Sequence, residues 1–331
     1  MALQAAESAL RDAAFDPTSN ERSNSSGVAM GMGFVDMDRI IETNEKVIKK
    51  KRVSPYFVPS VLPNTPAGAI SSRFKMFGPC FTPVLACASG AAAISSAFHA
   101  VRSGAADLML AGAYDEVLSP LSLAGFASAR ALANGLPPES ASRPFDISRC
   151  GLVPGEGAGA LVLENLDVAL SRNVKIYAEV LGCGSAFNST GNISAPCSDG
   201  STRSMLAALK DANLPPTSID YINAHATSTK LGDAAELSAI NGVFGNEVLI
   251  SSCKGSLGHL LGAAGAVESV ASAMACFTRK LPLSVNFSET EKPFDKMKIL
   301  RDNHEFGRNV TILKNSLGFG GANVSIIFKS V

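Results

Sequence analysis

The sequence predicts an α/β protein in which one pattern of elements occurs twice, and three observations predict it. Of its 331 residues, 46% are hydrophobic, which is enough to bury a large core. Short apolar runs typical of strands alternate with stretches of helical periodicity, as in layered α/β folds. Around Glu164 to Asn173 the alternation starts again. We therefore expect two tightly joined halves, 1–165 and 166–331, although no residue-level repeat supports a duplication.

The first half begins with helical periodicity, because Leu3, Ala6 and Leu10 share one face. A polar loop is expected from Asp16 to Ser26, and the basic run at 49–52 is interpreted as a solvated face. The predicted elements are a helix at Ala2 to Ala14, a strand at Gly27 to Phe34, an Ala/Ser-rich helix at Ala86 to Val101, and strands at Leu108 to Ala113 and Ala158 to Leu163.

The second half repeats the order of strand and helix. The predicted elements are strands at Ile176 to Leu181, Ile219 to Ile222 and Val248 to Ser251, helices at Thr202 to Ala212, Asp233 to Val243 and Gly262 to Phe277, and closing strands at Val310 to Asn315 and Asn323 to Phe328. A glycine-rich turn at 318–321 lies between the two closing strands.

Charge and cysteine content exclude several classes of protein. The chain has 29 basic and 29 acidic residues, and a zero balance argues against binding nucleic acid by neutralising phosphates. The seven cysteines lie far apart without a CxxC pair, which favours a reducing compartment over a disulfide framework or a zinc site. The most apolar window, Leu257 to Phe277, contains His259 and Glu268 and is predicted to be a buried helix rather than a membrane span.

Cys87 is the first candidate catalytic residue. It lies between an apolar stretch and a helix of small residues, where free N–H groups and the helix dipole favour a thiolate and small neighbours admit a substrate. Free cysteines are usually inert core residues, so this segment alone leaves both interpretations open.

Two further segments carry histidines. His225 follows a predicted strand, where α/β sheets place their sites, although the neighbouring hydroxyl groups could equally satisfy a structural histidine. Lys254, His259 and Glu268 occur in an apolar, glycine-rich setting, in which burial is costly unless charges are paired. A functional role therefore outweighs a structural one for this second group.

The turn around Phe319 is the fourth candidate segment. Its glycines could let backbone N–H groups face a ligand while the ring acts as a movable plug. Glycine-rich turns alone are weak signals, and the dinucleotide fingerprint is absent.

Together these four segments closely resemble the β-ketoacyl-[acyl-carrier-protein] synthases, in the elongating synthase I/II branch. The resemblance extends from Ala2 to Phe328, and the cysteine, both histidines and the lysine occur in order in their own motifs. It implies a thiolase-like fold of two βαβαβαββ halves in α/β/α/β/α layers. The sequences of residues 223–229 and 119–132 are most similar to those of the mitochondrial member. A location in the mitochondrial matrix is therefore expected, with the cytoplasm as the alternative.

The resemblance also implies a role for each site residue. Cys87 would carry the acyl chain with a helix-lowered pKa, His225 and His259 would stabilise the enolate of a decarboxylated malonyl thioester, and the N–H groups of Cys87 and Phe319 would form the oxyanion hole. Lys254, paired with Glu268, would position the histidines. The remaining assignments are Thr227 and Thr229 for the phosphopantetheine arm, Asp233 for support of the His225 loop, Met32 and Phe126 for the acyl pocket, Phe319 as its gate, and Arg130 for the acidic carrier protein.

No metal or redox cofactor is implied, although a monovalent cation near the glycine turn occurs in the family. Acyl carrier protein is the expected partner and a homodimer the expected assembly, with no nucleic acid and no membrane.

Departures from the family pattern occur at Leu85, Cys150, Leu152 and Ala322. The family's opening strand has no counterpart before Met1 and is expected to be central in the first sheet, which indicates a truncated gene model or an alternative product. A thiolase and a starter synthase fit less well, because the late motifs contain His259 and Phe319 rather than their characteristic residues. The remaining alternative is a non-catalytic paralogue that binds carrier protein.

Overall fold

The fold was analysed in a computed structural model that describes residues 1–15, 23–189 and 196–331. Most of the predicted loop at Asp16 to Ser26 lies outside the described residues. The first half contains helices α1 (Ala2–Asp12), α2 (Met37–Ile48), α3 (Phe57–Val61), α4 (Thr65–Arg73), α5 (Ser89–Arg102), α6 (Pro120–Ser128) and α7 (Pro138–Ala141), and strands β1 (Ser26–Gly31), β2 (Cys80–Phe81), β3 (Leu108–Asp115) and β4 (Gly157–Glu164).

Helix α8 (Leu166–Ser171) leads into the second half. This half contains strands β5 (Glu179–Phe187), β6 (Tyr221–Asn223), β7 (Leu249–Ser251), β8 (Lys298–Ile299), β9 (Thr311–Leu317) and β10 (Ala322–Lys329), and helices α9 (Ser198–Asp211), α10 (Lys230–Phe244), α11 (Lys254–Leu257) and α12 (Ala264–Thr278).

The elements form five layers, as the resemblance implies. Helices α1 and α4 cover the outside of the first sheet, and α9 and α10 cover the outside of the second. Helices α5 and α12 lie between the two sheets and contact each other. Their small residues allow this contact, since a Cβ atom at Gly90 would lie 2.5 Å from Ala266 N and one at Gly265 would lie 2.6 Å from Ala91 N.

The four strands of the first sheet have counterparts in β7, β6, β9 and β10 of the second sheet, which has two further strands. The strand orders are β2-β1-β3-β4 and β8-β7-β6-β9-β10-β5. Strand β4 is antiparallel to β3 in the first sheet, and β10 is antiparallel to β9 in the second. The opening strand of the second half, β5, lies at the edge beside β10. This edge position in the second sheet differs from the central position expected for the opening strand of the first sheet.

A cavity of about 430 Å³ lies at the edge of β4. Consecutive residues 160–164 line it, together with parts of α1, α5 and residues 174–181. Side chains of consecutive strand residues point to opposite faces, so a cavity that touches all of them faces the strand's edge. Among the described residues, β4 pairs only with β3.

Two three-residue 3₁₀ turns, at Ala86–Ala88 and Leu261–Ala263, lead directly into α5 and α12. Both first residues have positive φ, 49° at Ala86 and 47° at Leu261. The helix predicted from Ala86 therefore begins as a tight turn that places Cys87 before its first residue. Leu261–Thr278 is long and apolar enough to span a membrane, but 67% of this stretch is buried inside the protein.

Candidate active site

A cavity of about 100 Å³ gathers most of the predicted site residues. It lies at one end of the two central helices, where the turn before α5 meets the loops after β6 and β9. The residues that line it include Cys87, Phe126, His225, Thr227, Thr229, His259 and Phe319. Segments more than two hundred residues apart in sequence thus meet around one thiol.

Cys87 is held by a network within its own turn. The Ser89 hydroxyl accepts a hydrogen bond from Leu85 N–H at 2.8 Å and donates one to Ala86 O at 2.7 Å. The N–H groups of Cys87 and Phe319 both point at the Cys87 sulfur. Gly318 must be a glycine for this approach, since a Cβ atom there would lie 2.4 Å from Leu85 O.

Burial, rather than the helix, dominates the acidity of this thiol. It raises the pKa of Cys87 to about 12, against the smaller lowering effects of Lys254 and the Phe319 N–H. The expectation of a helix-lowered pKa is therefore wrong for the empty site, because desolvation disfavours the thiolate more strongly than the dipole favours it. A thiol with this pKa is neutral at physiological pH.

His225 is fixed through its backbone and its ring. Glu236 accepts hydrogen bonds from the N–H groups of His225 at 2.8 Å and Ala226 at 2.7 Å. Lys254 Nζ donates to His225 O at 2.5 Å and lies 3.5 Å from His225 Nδ1. Because an ammonium group can only donate, this contact favours the tautomer with its ring proton on Nε2.

His259 faces His225 edge-on. The ring centroids are 5.2 Å apart with an interplanar angle of 83°, and His259 N–H donates to Val153 O at 2.7 Å. Burial, followed by Lys254, holds the pKa of both histidines well below the usual value of 6.5. Both rings are therefore neutral at physiological pH and can donate a hydrogen bond.

The predicted Lys254–Glu268 pair is present and has a third member. Lys254 Nζ lies 2.5 Å from Glu268 Oε1, and Lys314 Nζ lies 2.8 Å from Glu268 Oε2. All three side chains are buried. Sequence analysis missed Lys314, because it occurs within a predicted strand and not in any of the four motifs.

The Asp233 side chain supports the His225 loop indirectly, through Arg149. It accepts a hydrogen bond from Phe145 N–H at 2.8 Å and lies 3.7 Å from Arg149 Nε. Arg149 in turn donates to Thr229 O at 3.2 Å and Lys230 O at 2.8 Å. Burial raises the pKa of Asp233 to about 7. The direct hold on His225 comes from Glu236, which sequence analysis also missed.

The other predicted residues divide between two cavities and the surface. Met32 lines a neighbouring cavity of about 280 Å³ and accepts a hydrogen bond from Tyr114 OH at 3.2 Å. Phe34 also lines this second cavity, and its ring lies 5.7 Å from that of Phe126, so the two aromatic rings lie between the cavities. Arg130 is exposed and lines neither cavity.

Among the described residues, no group of three or more His, Cys, Asp and Glu side chains is arranged to hold a metal ion. The departure residues lie around the site without replacing a reacting group: Leu152 lines the cavity, and Ala322 O accepts a hydrogen bond from Gly318 N–H at 2.7 Å.

Two family models match the chain. Residues 1–169 match the β-ketoacyl synthase N-terminal domain, and residues 177–288 match the β-ketoacyl synthase C-terminal domain.

Individual relatives and solved structures cover the whole chain. The mitochondrial 3-oxoacyl-[acyl-carrier-protein] synthase of Arabidopsis thaliana is 40% identical over 343 residues, covering 100% of this chain and 74% of the relative. A putative mitochondrial 3-oxoacyl-[acyl-carrier-protein] synthase of Schizosaccharomyces pombe is 41% identical, covering 99% and 80%. A type II polyketide ketosynthase, solved in complex with its acyl-carrier protein, superposes with a TM-score of 0.92 at 31% identity, covering 100% of this chain and 84% of that one.

Proposed function

The chain belongs to the β-ketoacyl synthase family, and from this premise we propose that it catalyses a decarboxylative Claisen condensation. An acyl group carried as a thioester on Cys87 is joined to a malonyl group on acyl carrier protein. The products are 3-oxoacyl-acyl carrier protein and carbon dioxide, as in fatty acid chain elongation. The observation that supports this most directly is the single cavity that contains a cysteine, two buried neutral histidines and two N–H groups aimed at the sulfur.

Acyl transfer is the first step. The Cys87 sulfur attacks the acyl thioester, the new carbon–sulfur bond replaces the one to the carrier's pantetheine, and the thiol proton passes to the departing sulfur. Because the pKa of Cys87 is about 12 in the empty site, deprotonation accompanies attack, and the departing pantetheine sulfur is the proton acceptor.

Decarboxylation is the second step. The carbon–carbon bond to the malonyl carboxylate breaks, carbon dioxide leaves, and the electron pair forms an enolate. The Nε2–H group of His225 donates a hydrogen bond to the enolate oxygen, and His259 provides the second donor. Lys254 supports the reaction indirectly, since its contact with Nδ1 favours the donor tautomer of His225.

Carbon–carbon bond formation completes the cycle. The enolate carbon attacks the acyl carbonyl, and the N–H groups of Cys87 and Phe319 stabilise the oxyanion. Collapse of this intermediate expels the Cys87 thiolate, which regains a proton. Both N–H groups already interact with the sulfur, which supports their assignment to the oxyanion hole.

Substrate-binding roles are proposed for the flanking residues. Thr227 and Thr229, whose hydroxyl oxygens are 3.1 Å apart, would bind the pantetheine arm at the cavity mouth. The acyl chain would pass Phe126 toward the second cavity at Met32. Phe319, with a ring 55% exposed, would gate that path.

Carrier-protein binding is proposed at exposed Arg130, because acyl carrier proteins are acidic and charge complementarity speeds association. An Arg130→Glu variant is expected to lower kcat/KM for carrier-bound substrates about tenfold. Arg73→Glu, the same charge change on exposed α4, is the matched control and should leave the value unchanged.

Homodimerisation is proposed through the open edge at β2. This strand ends the first sheet, and Phe77, Phe81 and Val84 beside it are exposed. Light scattering should give twice the chain mass, and a Phe81→Asp variant should reduce it to one. The mitochondrial relatives support a location in the mitochondrial matrix, which fractionation with protease protection would test.

Intact-mass analysis tests the function. We expect one acyl adduct after incubation with acyl-acyl carrier protein, no adduct with Cys87→Ala, and carbon dioxide release from malonyl-acyl carrier protein. His225→Ala and His259→Ala should lose decarboxylation while partly retaining acyl transfer. Condensation that persists in Cys87→Ala would refute the nucleophile, and equal loss of both steps in the histidine variants would refute the division of roles.

A further inference from the structure

Lys314 is a buried charged residue that the proposed mechanism does not use. It lies on β9, and its ammonium group is fully buried. Lys314 donates hydrogen bonds to Asn315 O and, at 3.1 Å, to Ser316 Oγ. Its only ion-pair partner within the described part of the chain is Glu268, on α12. A buried lysine is costly unless it is paired, so Lys314 and Glu268 depend on each other.

The position of Lys314 links the two segments that hold the histidines. Glu268 binds Lys254, which contacts the His225 ring. Next to Lys314, the Asn315 side chain donates to Glu236 Oε1 at 3.3 Å, and Glu236 holds the His225 backbone. The same strand then continues to Gly318 and Phe319. Residues 314 and 315 therefore contact both carboxylates that support the histidine loops.

We propose that Lys314 is a positioning residue of the active site, which together with Lys254 holds Glu268 between two ammonium groups and keeps His225 and His259 neutral. The inference rests on the proposed role of these histidines as hydrogen-bond donors. Lys254 lies against the His225 ring, and Lys314 adds a second positive charge at the other oxygen of Glu268. Positive charge near an imidazole makes its imidazolium form unfavourable, so loss of either lysine should favour protonation.

Buried charged and titratable groups occur on each element that forms the site or supports it. They are Cys87 before α5, Asp115 on β3, Tyr221 on β6, Asp233 and Glu236 on α10, Cys253 and Lys254 after β7, Glu268 on α12 and Lys314 on β9. Lys254 and Lys314 both lower the pKa of each histidine, after the larger effect of burial.

Histidine titration by NMR tests the proposal without turnover. The chain has only four histidines, so His99 and His304 serve as internal references. In Lys314→Met, we expect the protonation midpoints of His225 and His259 to rise by about one pH unit. The acid limb of malonyl-acyl carrier protein decarboxylation should move up in parallel. Lys314→Arg should keep both values, and Lys329→Met, the same change at the exposed end of β10, should change neither.

A purely structural role predicts a different result. Lys314→Met would then lower the melting temperature and kcat while both histidine midpoints stay at the wild-type values, and this outcome would overturn the proposal. If Lys314→Met does not fold, Lys314→Gln provides the neutral side chain for the same titration. Histidine midpoints that shift in a protein without condensation activity would refute the proposed function but support the positioning role.

Discussion

The 3₁₀ turns before α5 and α12 have the same backbone shape but different chemistry. Ala86 and Leu261 begin them with nearly equal positive φ, so Cys87 and Gly262 occupy corresponding positions. Gly262 N–H donates to a carboxylate, Asp115 Oδ2, at 2.6 Å, while Cys87 N–H faces the sulfur and the cavity. A carboxylate from the first half therefore occupies the turn of the second half, whereas the corresponding N–H group of the first half faces the cavity in which we propose that an oxyanion forms.

The comparison shows that the same backbone conformation can serve two different purposes. A helix N-terminus with a tight turn binds negative charge wherever it occurs. Asp115 also accepts the N–H groups of Gly33 and Phe34, each at 3.1 Å, so the second turn is a structural joint between the halves. At the first turn, no carboxylate of the described residues is seen to accept a hydrogen bond from the Cys87 N–H group, and this turn carries the cysteine for which we propose a nucleophilic role.

The largest expected effect concerns the Cys87 thiol. Its raised pKa predicts that the alkylation rate by iodoacetamide increases about tenfold per pH unit, or roughly a hundredfold from pH 7 to pH 9. Peptide mapping would measure it, with exposed Cys80 as internal reference. A rate that levels off below pH 8 would mean that the N–H groups outweigh burial.

Gly262→Ala would break the second turn. The added Cβ atom would lie 2.2 Å from Gly33 N and 2.7 Å from Asp115 Oδ2, so the free energy of unfolding should fall by about 3 kcal/mol. Gly242→Ala in α10, where nothing lies within 4 Å, is the control and should stabilise by about 0.5 kcal/mol. Equal urea midpoints for the two variants would contradict the close packing of this joint.

Asp115→Asn sharpens the comparison through pH. Burial raises the pKa of Asp115 from 3.8 to about 6, so the folded protein binds this proton more tightly than the unfolded chain. The stability that Asp115 contributes relative to asparagine is therefore greatest below about pH 4 and falls as pH rises through 6, by about 2 kcal/mol. Urea unfolding of both proteins at pH 4.5 and 7.5 measures this; a constant difference would exclude it.

The smallest effect concerns the sheet edges. Strand β10 is hydrogen-bonded to β5 and β9, whereas β4, among the described residues, is bonded only to β3. Roughly half of the β4 amides should exchange with deuterium before those of β10, since alternate groups of an edge strand lack a strand partner. Mass spectrometry of peptides 157–164 and 322–329 compares them, and equal protection would show that the β4 edge is covered.

Much of the fold was predictable because its strands are continuous apolar runs. The strand predicted at Leu108 to Ala113 is β3 with two more residues, and the closing strands agree within two residues. Strand β5 begins at Glu179 rather than Ile176. Helix α2 was missed because of its many charged residues, and β2 because two residues give no period.

The residues with a proposed role in the chemistry were predictable from the sequence. Several residues that hold them in place were not. Cys87, His225, His259 and Phe319 belong to motifs with their own local pattern, and the structure brings them together. Glu236, Lys314 and Asp115 act through partners 10 to 147 residues away. A sequence pattern records the type of such a residue but not the contact that gives it a role.

The close crossing of α5 and α12 has a consequence for folding. Each helix packs against both sheets, and a single core cluster contains residues of α5, β3, α12 and β10. Neither half can complete its own interior before the other docks. The turn at Cys87 therefore obtains its packing partners only from both halves together, and we expect the first half made alone to leave this turn on an incomplete surface.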